Sequence, residues 1–223
     1  PGAQRGDTRA LHETVTRNAA DKFQRSRLKR ASDYNSRAEA LNELQRHLQL
    51  PETPLRIECF DMSHIQGTDY VGSMVVMEDG LPRKSEYRRF KVKQVGGNDD
   101  YAAMEEVLTR RFKALIAERA RPLEKGQRFV YPPQLLLVDG GKGQLGVAVR
   151  VLEDLGLDDE IPVASLAKQF EEVFVPGQSE PIRLPRQSQS LYLFQPVPDE
   201  PPRFALPFPR SPPPHRHHHH PPP

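Results

Sequence analysis

The chain has no tryptophan, a single cysteine (Cys59), and only 7% aromatic residues. A lone cysteine cannot close a disulfide within the chain, which points to a reducing, cytoplasmic setting. No apolar run approaches the ~20 residues that a membrane span needs. The polar, charged N-terminal residues do not read as a signal peptide. An excess of one charge is also missing. The formal net charge is +2 over 223 residues, so any nucleic-acid-binding surface has to be local. Hydrophobic residues make up 36%, which allows a core, and the length suits one domain with extensions or two small ones.

Charge and proline are plentiful but unevenly spread. Residues 1–50 are highly charged, residues 51–195 read as a compact α/β unit, and residues 196–223 hold 12 of the 23 prolines and five of the eight histidines. In the first part, Leu11, Val15 and Ala19 recur at helical spacing. Ser36 and Glu39 resemble a capping box that starts a helix with the stripe Ala40, Leu41, Leu44 and Leu48. Pro51 and Pro54 then stop it. Such a segment is either a linker helix packed on its neighbour or a separate binding element.

The second part opens with strands at Arg56–Met62, Tyr70–Met77 and Ser85–Lys93, the last two joined through Glu78-Asp79-Gly80. On the third strand, Tyr87, Arg89, Lys91 and Lys93 share one face, and Arg88, Phe90 and Val92 share the other. After a Gly96-Gly97-Asn98 loop, Asp99 or Asp100 caps a helix with Met104, Val107, Leu108, Leu115 and Ile116 on its apolar face. Arg110, Arg111 and Lys113 are assigned largely to other faces. The apolar run Gln134–Asp139 fits a strand buried on both sides. Gly140–Gly143 turns into a helix carrying Leu145, Ala148, Leu152 and Leu155, and Ile161–Leu166 is another buried strand. A short hairpin forms around Pro176-Gly177, and Ser188–Gln195 starts a last helix.

Three strands, a helix and a buried strand form the opening order of an RNase H-like mixed sheet flanked by helices. In that order the first and fourth strands are neighbours, so Asp61 and Asp139, at their C-terminal ends, meet. Two carboxylates so close repel each other, and a divalent cation relieves the repulsion. Hard oxygen ligands favour Mg²⁺ or Mn²⁺, which suits phosphodiester hydrolysis. Taken singly, each aspartate is ordinary at a strand end. Lys142 on the glycine turn and Lys168 at the end of the next strand suit a phosphate. Arg88 and Arg89, between Tyr87 and Phe90, suit a nucleic-acid backbone or a solvated sheet face. His64 and Glu172 are further candidates for lining the site. Cys59 reads as a packed core residue.

Gly141-Lys142-Gly143-Gln144-Leu145-Gly146 has the G-x-G-x-x-G form of a dinucleotide site. Against that reading, no acidic residue ends the following strand, where Ala164-Ser165-Leu166-Ala167-Lys168 stands, and the motif comes late in the chain.

The segment Glu58-Cys59-Phe60-Asp61-Met62-Ser63-His64-Ile65-Gln66-Gly67 resembles the opening motif of the nuclease half of the UvrC family, the excinuclease subunit of bacterial nucleotide-excision repair. Leu136–Leu145 resembles its second motif. Asp99–Met104, Gly80-Leu81-Pro82, Leu166-Ala167-Lys168 and Glu172-Val173-Phe174 are similar to that family too. The resemblance implies a metal-dependent endonuclease that cuts damaged duplex DNA 5′ of the lesion, with an Asp, Asp, His set and a UvrB-type partner. Asp61 and Asp139 match the two aspartates. The family's other nuclease domain and its helix-hairpin-helix module are not found in these residues.

One departure bears on catalysis. Where the family has a helix reading roughly Arg-Asp-Glu-Ala-His-Arg-Phe-Ala, this chain reads Pro198-Asp199-Glu200-Pro201-Pro202-Arg203-Phe204-Ala205. Pro202 stands in the histidine's place and has no ionisable group. Each proline inside a helix costs about 3 kcal/mol, so the tail from residue 196 is expected to be extended or disordered. Single changes to cytosine convert Arg, Ala, Thr and His codons to proline codons, a pattern of sequence error or decay. The His217–His220 run is tag-like, and no physiological metal is assigned to it.

Overall fold

In the computed structural model, residues 4–65, 69–93, 99–122, 131–167, 172–185 and 193 are described. An eight-stranded sheet carries the fold. Its strands are β1 (Arg56–Ile65), β2 (Asp69–Glu78), β3 (Leu81–Pro82), β4 (Arg88–Lys91), β5 (Leu135–Asp139), β6 (Val163–Ala167), β7 (Glu172–Phe174) and β8 (Ile182–Arg183). The order is β3-β2-β1-β5-β6-β7-β8, with β4 also paired to β2. β1 runs antiparallel to β2 and parallel to β5, and β5 runs parallel to β6. A dinucleotide-binding sheet is parallel throughout its core, so the antiparallel β1–β2 pair sets that reading aside.

Helices α2 (Asp100–Arg119) and α3 (Lys142–Asp154) cover one face. Phe60, Met74, Val76, Leu136 and Val138 meet them there. The other face, with Ile57, Cys59, Val75, Leu135 and Leu137, is covered by Ala40, Leu41, Leu44 and Leu48 of α1 (Gln4–Leu48), together with Leu184 and Leu193. Strand alternation sorts the residues: neighbours along β1 and β5 go to opposite faces. The all-apolar Leu135–Val138 run is therefore buried on both sides.

Four expectations are corrected. Ser36 does not start a helix: α1 continues unbroken from Gln4 to Leu48, because the polar residues before Ser36 include no proline to stop it. The Glu78–Gly80 turn leads to the two-residue β3 and a 3₁₀ turn at Lys84–Glu86 before β4 begins, so the third strand is shorter than expected. β1 runs past Asp61 to Ile65, since β2 continues to pair with it after β5 has ended. On α2, Ile116 is 40% exposed, whereas Arg111 is fully buried. The expected cap is present: Asp99 accepts a hydrogen bond from the Ala102 N–H at 3.0 Å. The Gly96–Asn98 loop and, apart from Leu193, the Ser188–Gln195 helix lie outside the described residues.

α2 packs closely on β2 because Gly72 has no side chain. A Cβ there would lie 2.6 and 2.8 Å from the Val107 methyl carbons. Gly72→Ala should therefore cost about 1–3 kcal/mol by overpacking, read as a lower urea midpoint. Adding Val107→Ala should recover part of the loss, and an unchanged midpoint in Gly72→Ala alone would refute the close fit.

Candidate active site

Asp61 and Asp139 come together at one end of the sheet. The parallel β1–β5 ladder pairs Phe60 with Val138, and the two aspartates are the next residues on each strand. Asp61 is partly buried and Asp139 is exposed at the strand end, and their carboxyl groups are hydrogen-bonded to each other. Burial, then the Asp139 charge, pushes the Asp61 carboxyl from an ordinary 3.8 up to about 6. Burial raises Asp139 as well. Between about pH 4 and pH 6 the pair therefore holds on to a proton that separate carboxyls would have lost. Such a pair fits a hard divalent cation, which binds through one or two carboxylates and keeps several waters. Among the described residues, no third His, Cys, Asp or Glu completes a metal-ligating group with them.

Cross-strand register separates the two arginines. Ser73 pairs with Asp61 on one side and Arg89 on the other, so Arg89 lies in the same row and on the same face as Asp61. Two strand spacings put their Cα atoms about 10 Å apart. Arg88 belongs to the opposite face, and its guanidinium donates to the Ser85 and Tyr87 carbonyls at 2.9 and 2.7 Å. Lys142, on the first turn of α3, lies with its ammonium 5.7 Å from the Phe174 ring. Glu172 is buried on β7 and pairs with Arg183 at 3.2 Å, so its carboxylate is engaged away from the aspartates. His64 is paired with Tyr70 in the β1–β2 ladder, and its side chain lies outside the description. Lys168 and Pro202 also lie outside the described residues.

The turn after Asp139 needs its glycines. Gly140 has φ +140°, and a Cβ there would come within 2.5 Å of the Gln144 side chain, whose Oε1 accepts from the Gly141 N–H at 3.0 Å. Tyr101 of α2 covers the same turn, and a Cβ on Gly143 would lie 2.2 Å from its hydroxyl. Cys59 is buried two residues before Asp61. Burial, reinforced by the Asp139 and Asp61 charges, pushes its thiol well above the ordinary range, as an inert core thiol requires.

Behind the site lies an ionic cluster that reading the sequence missed. Glu58 accepts from Arg111 Nε at 3.0 Å and Nη2 at 2.7 Å, with both side chains fully buried. Arg56 adds bonds to Glu58 at 3.2 and 3.0 Å. Arg111 also donates to the Tyr131 carbonyl at 3.0 Å. A signal was present: Arg111 continues the Met104, Val107, Leu108, Leu115 spacing, and Glu58 is a charge inside an apolar strand that demands a partner.

An open mixed sheet of this order, with two carboxylates meeting on its first strand and the parallel neighbour, defines an RNase H-like α/β domain. A family model described as the UvrC RNase H endonuclease domain matches residues 45–206. The chain belongs to that family. It is 50% identical over 229 residues to UvrABC system protein C of Parafrankia sp., covering 93% of this chain and 33% of that protein. The same-named protein of Mycolicibacterium paratuberculosis is 51% identical over 216 residues, and that of Streptomyces avermitilis 49% over 224, with the same coverages. The chain thus spans 33% of the length of these relatives. Among solved structures, Ciona intestinalis Endonuclease V in complex with a 24mer DNA containing an inosine has a TM-score of 0.36 at 18% identity, covering 68% of this chain and 62% of that one. Human ENDOV has a TM-score of 0.34 at 19% identity, covering 67% and 59%.

Proposed function

We propose that the chain acts as the metal-dependent endonuclease domain of nucleotide-excision repair, hydrolysing a phosphodiester of the damaged strand on the 5′ side of the lesion. The observation that carries this reading is the Asp61–Asp139 pair, held together by the β1–β5 ladder inside a fold of this family. Asp61 and Asp139 would hold Mg²⁺ or Mn²⁺. When bound, the cation supplies polarisation of the phosphoryl oxygen and acidification of the attacking water. Arg89, on the carboxylate face, neutralises a neighbouring backbone phosphate. Lys142 and Lys168 serve the strand from the rim, with the α3 N-terminus favouring an anion beside them. In this reading residues 51–195 form the nuclease unit, 1–50 a helical segment and 196–223 a proline- and histidine-rich tail. Its partners are damaged duplex DNA and a UvrB-type protein, in the cytoplasm.

A second reading is favoured by Pro202. Without the histidine the resemblance implies at that position, the domain is a catalytically impaired remnant that keeps the fold and the carboxylates. Mn²⁺-dependent nicking of a damaged duplex, measured for the parent chain, Asp61→Ala and Pro202→His, separates the two. Cutting by the parent that is lost in Asp61→Ala supports the endonuclease. A silent parent that gains nicking in Pro202→His supports the remnant, and a missing acid–base group is worth roughly 10²–10⁴ in rate. Cutting that survives Asp61→Ala refutes the site.

A further inference from the structure

We propose that the middle of α1, residues 17–28, is a second DNA-binding surface, which grips the flank of the duplex through its phosphates. It rests on the nuclease reading for its choice of polyanion, although binding through the helix requires no cleavage.

Only the last turns of α1 share the core of the sheet. All the residues from 17 to 28 are exposed. Between residues 17 and 30 the helix carries six basic residues and one acidic residue, in a chain whose formal net charge is +2. Among the described residues, no ion pair engages Arg17, Lys22, Arg25 or Arg27. A segment as polar as residues 17–28 gains little by packing on a protein core, and an isolated helix is marginal in water. Its basic excess matches a polyanion.

The exposed apolar residues fit this better than a protein groove. Phe23 is 61% exposed and Leu28 68%. Five positions apart, they lie about 140° from each other around the helix, so no single face gathers them. An amphipathic partner needs one continuous face, and these two residues stand among basic ones, which a phosphate backbone engages.

The place where the arm leaves the sheet identifies the part of the duplex it meets. Arg37 packs against Gly80 at the β2–β3 turn. That turn follows Glu78, the partner of Arg56, whereas Asp61 pairs with Ser73. The arm therefore emerges at the level of Arg56, about 17 Å along β1 from the carboxylates. It touches flanking duplex and not the scissile phosphate.

The test is equilibrium binding of a labelled, undamaged short duplex in EDTA over a series of KCl concentrations. It compares the full chain with Arg17→Ala/Lys22→Ala/Arg25→Ala/Arg27→Ala. A control, Lys84→Ala/Lys113→Ala/Arg121→Ala/Arg150→Ala, removes equal charge elsewhere. The arm variant should lose at least ~10-fold in affinity, and its log K against log [KCl] slope should shrink by roughly 3, at ~0.9 per phosphate contact. The control should keep most of both. Alanine is the best helix former, so unchanged melting of the arm variant checks that α1 survives. A parental slope in the arm variant, an equal loss in the control, or equally tight binding of the parent to polyglutamate overturns the proposal. Failure of the nuclease reading shows separately, as absent nicking with arm-dependent binding intact.

Discussion

Replacing Arg111 by methionine should destabilise the domain by about 3–5 kcal/mol, the cost of leaving a buried charge without its partner. Glu58 is fully buried, and Arg111 supplies both of its bidentate bonds across 53 positions of sequence. Arg56 stays beside Glu58 but is also drawn to Glu78 at 2.9 Å and Glu86 at 2.5 Å, so it compensates only in part. The pair itself need not be a large net source of stability, because a well-packed apolar replacement of a buried ion pair is often neutral. The double variant Glu58→Leu/Arg111→Met should therefore recover more than half of what Arg111→Met loses. Urea unfolding followed by far-UV circular dichroism reads both. A loss under about 1 kcal/mol in Arg111→Met, the size of a surface pair, would sink the claim that the cluster is buried and interdependent.

The second large effect belongs to the aspartates and depends on pH. The Asp61 carboxyl sits at about 6 in the fold against an ordinary 3.8. A folded value above the unfolded one means that the protonated form stabilises the fold. That contribution is complete below the unfolded value and lost as pH rises through about 6. At pH 8 without metal, both carboxylates are charged and repel. Asp61→Asn removes that repulsion and should raise stability there by about 1 kcal/mol once solvent screening of this partly exposed group is allowed for. For a domain of this size that is roughly 2–4 °C in Tm. The advantage should shrink between pH 6 and pH 4 and vanish below. Adding Mn²⁺ at pH 8 should raise the Tm of the parent and leave Asp61→Asn/Asp139→Asn unmoved. An Asp61→Asn advantage that is the same at pH 4 and pH 8 would rule out a repelling pair.

Much of the site was legible because it is built from local signals. An apolar run that ends in Asp139 and then a glycine turn reads as a buried strand opening a helix, whatever lies around it. Asp99 caps α2 through a bond three residues long, so it too was visible. The faces of β4 followed from strand alternation, with Phe90 buried and Arg89 and Lys91 exposed. What alternation could not say is which face carries the carboxylates. Only the double pairing of Ser73 decides that Arg89, not Arg88, shares the row of Asp61.

By itself, then, the sequence determined the central strands and the two helices between them, the family motifs, the two aspartates and the loss of an ionisable group at position 202. These depend on residue type and short spacing. The tertiary structure alone decided the contacts whose partners are far apart in the chain. It buried Arg111 against Glu58, left Ile116 exposed, and carried α1 through Ser36 into an arm beyond the sheet. The physical reason is that a charge or an apolar group takes its place from what the fold sets beside it. The same holds for Asp61, an ordinary strand aspartate until burial in the fold, and then Asp139 set against it by the parallel β5, raise its carboxyl to about 6.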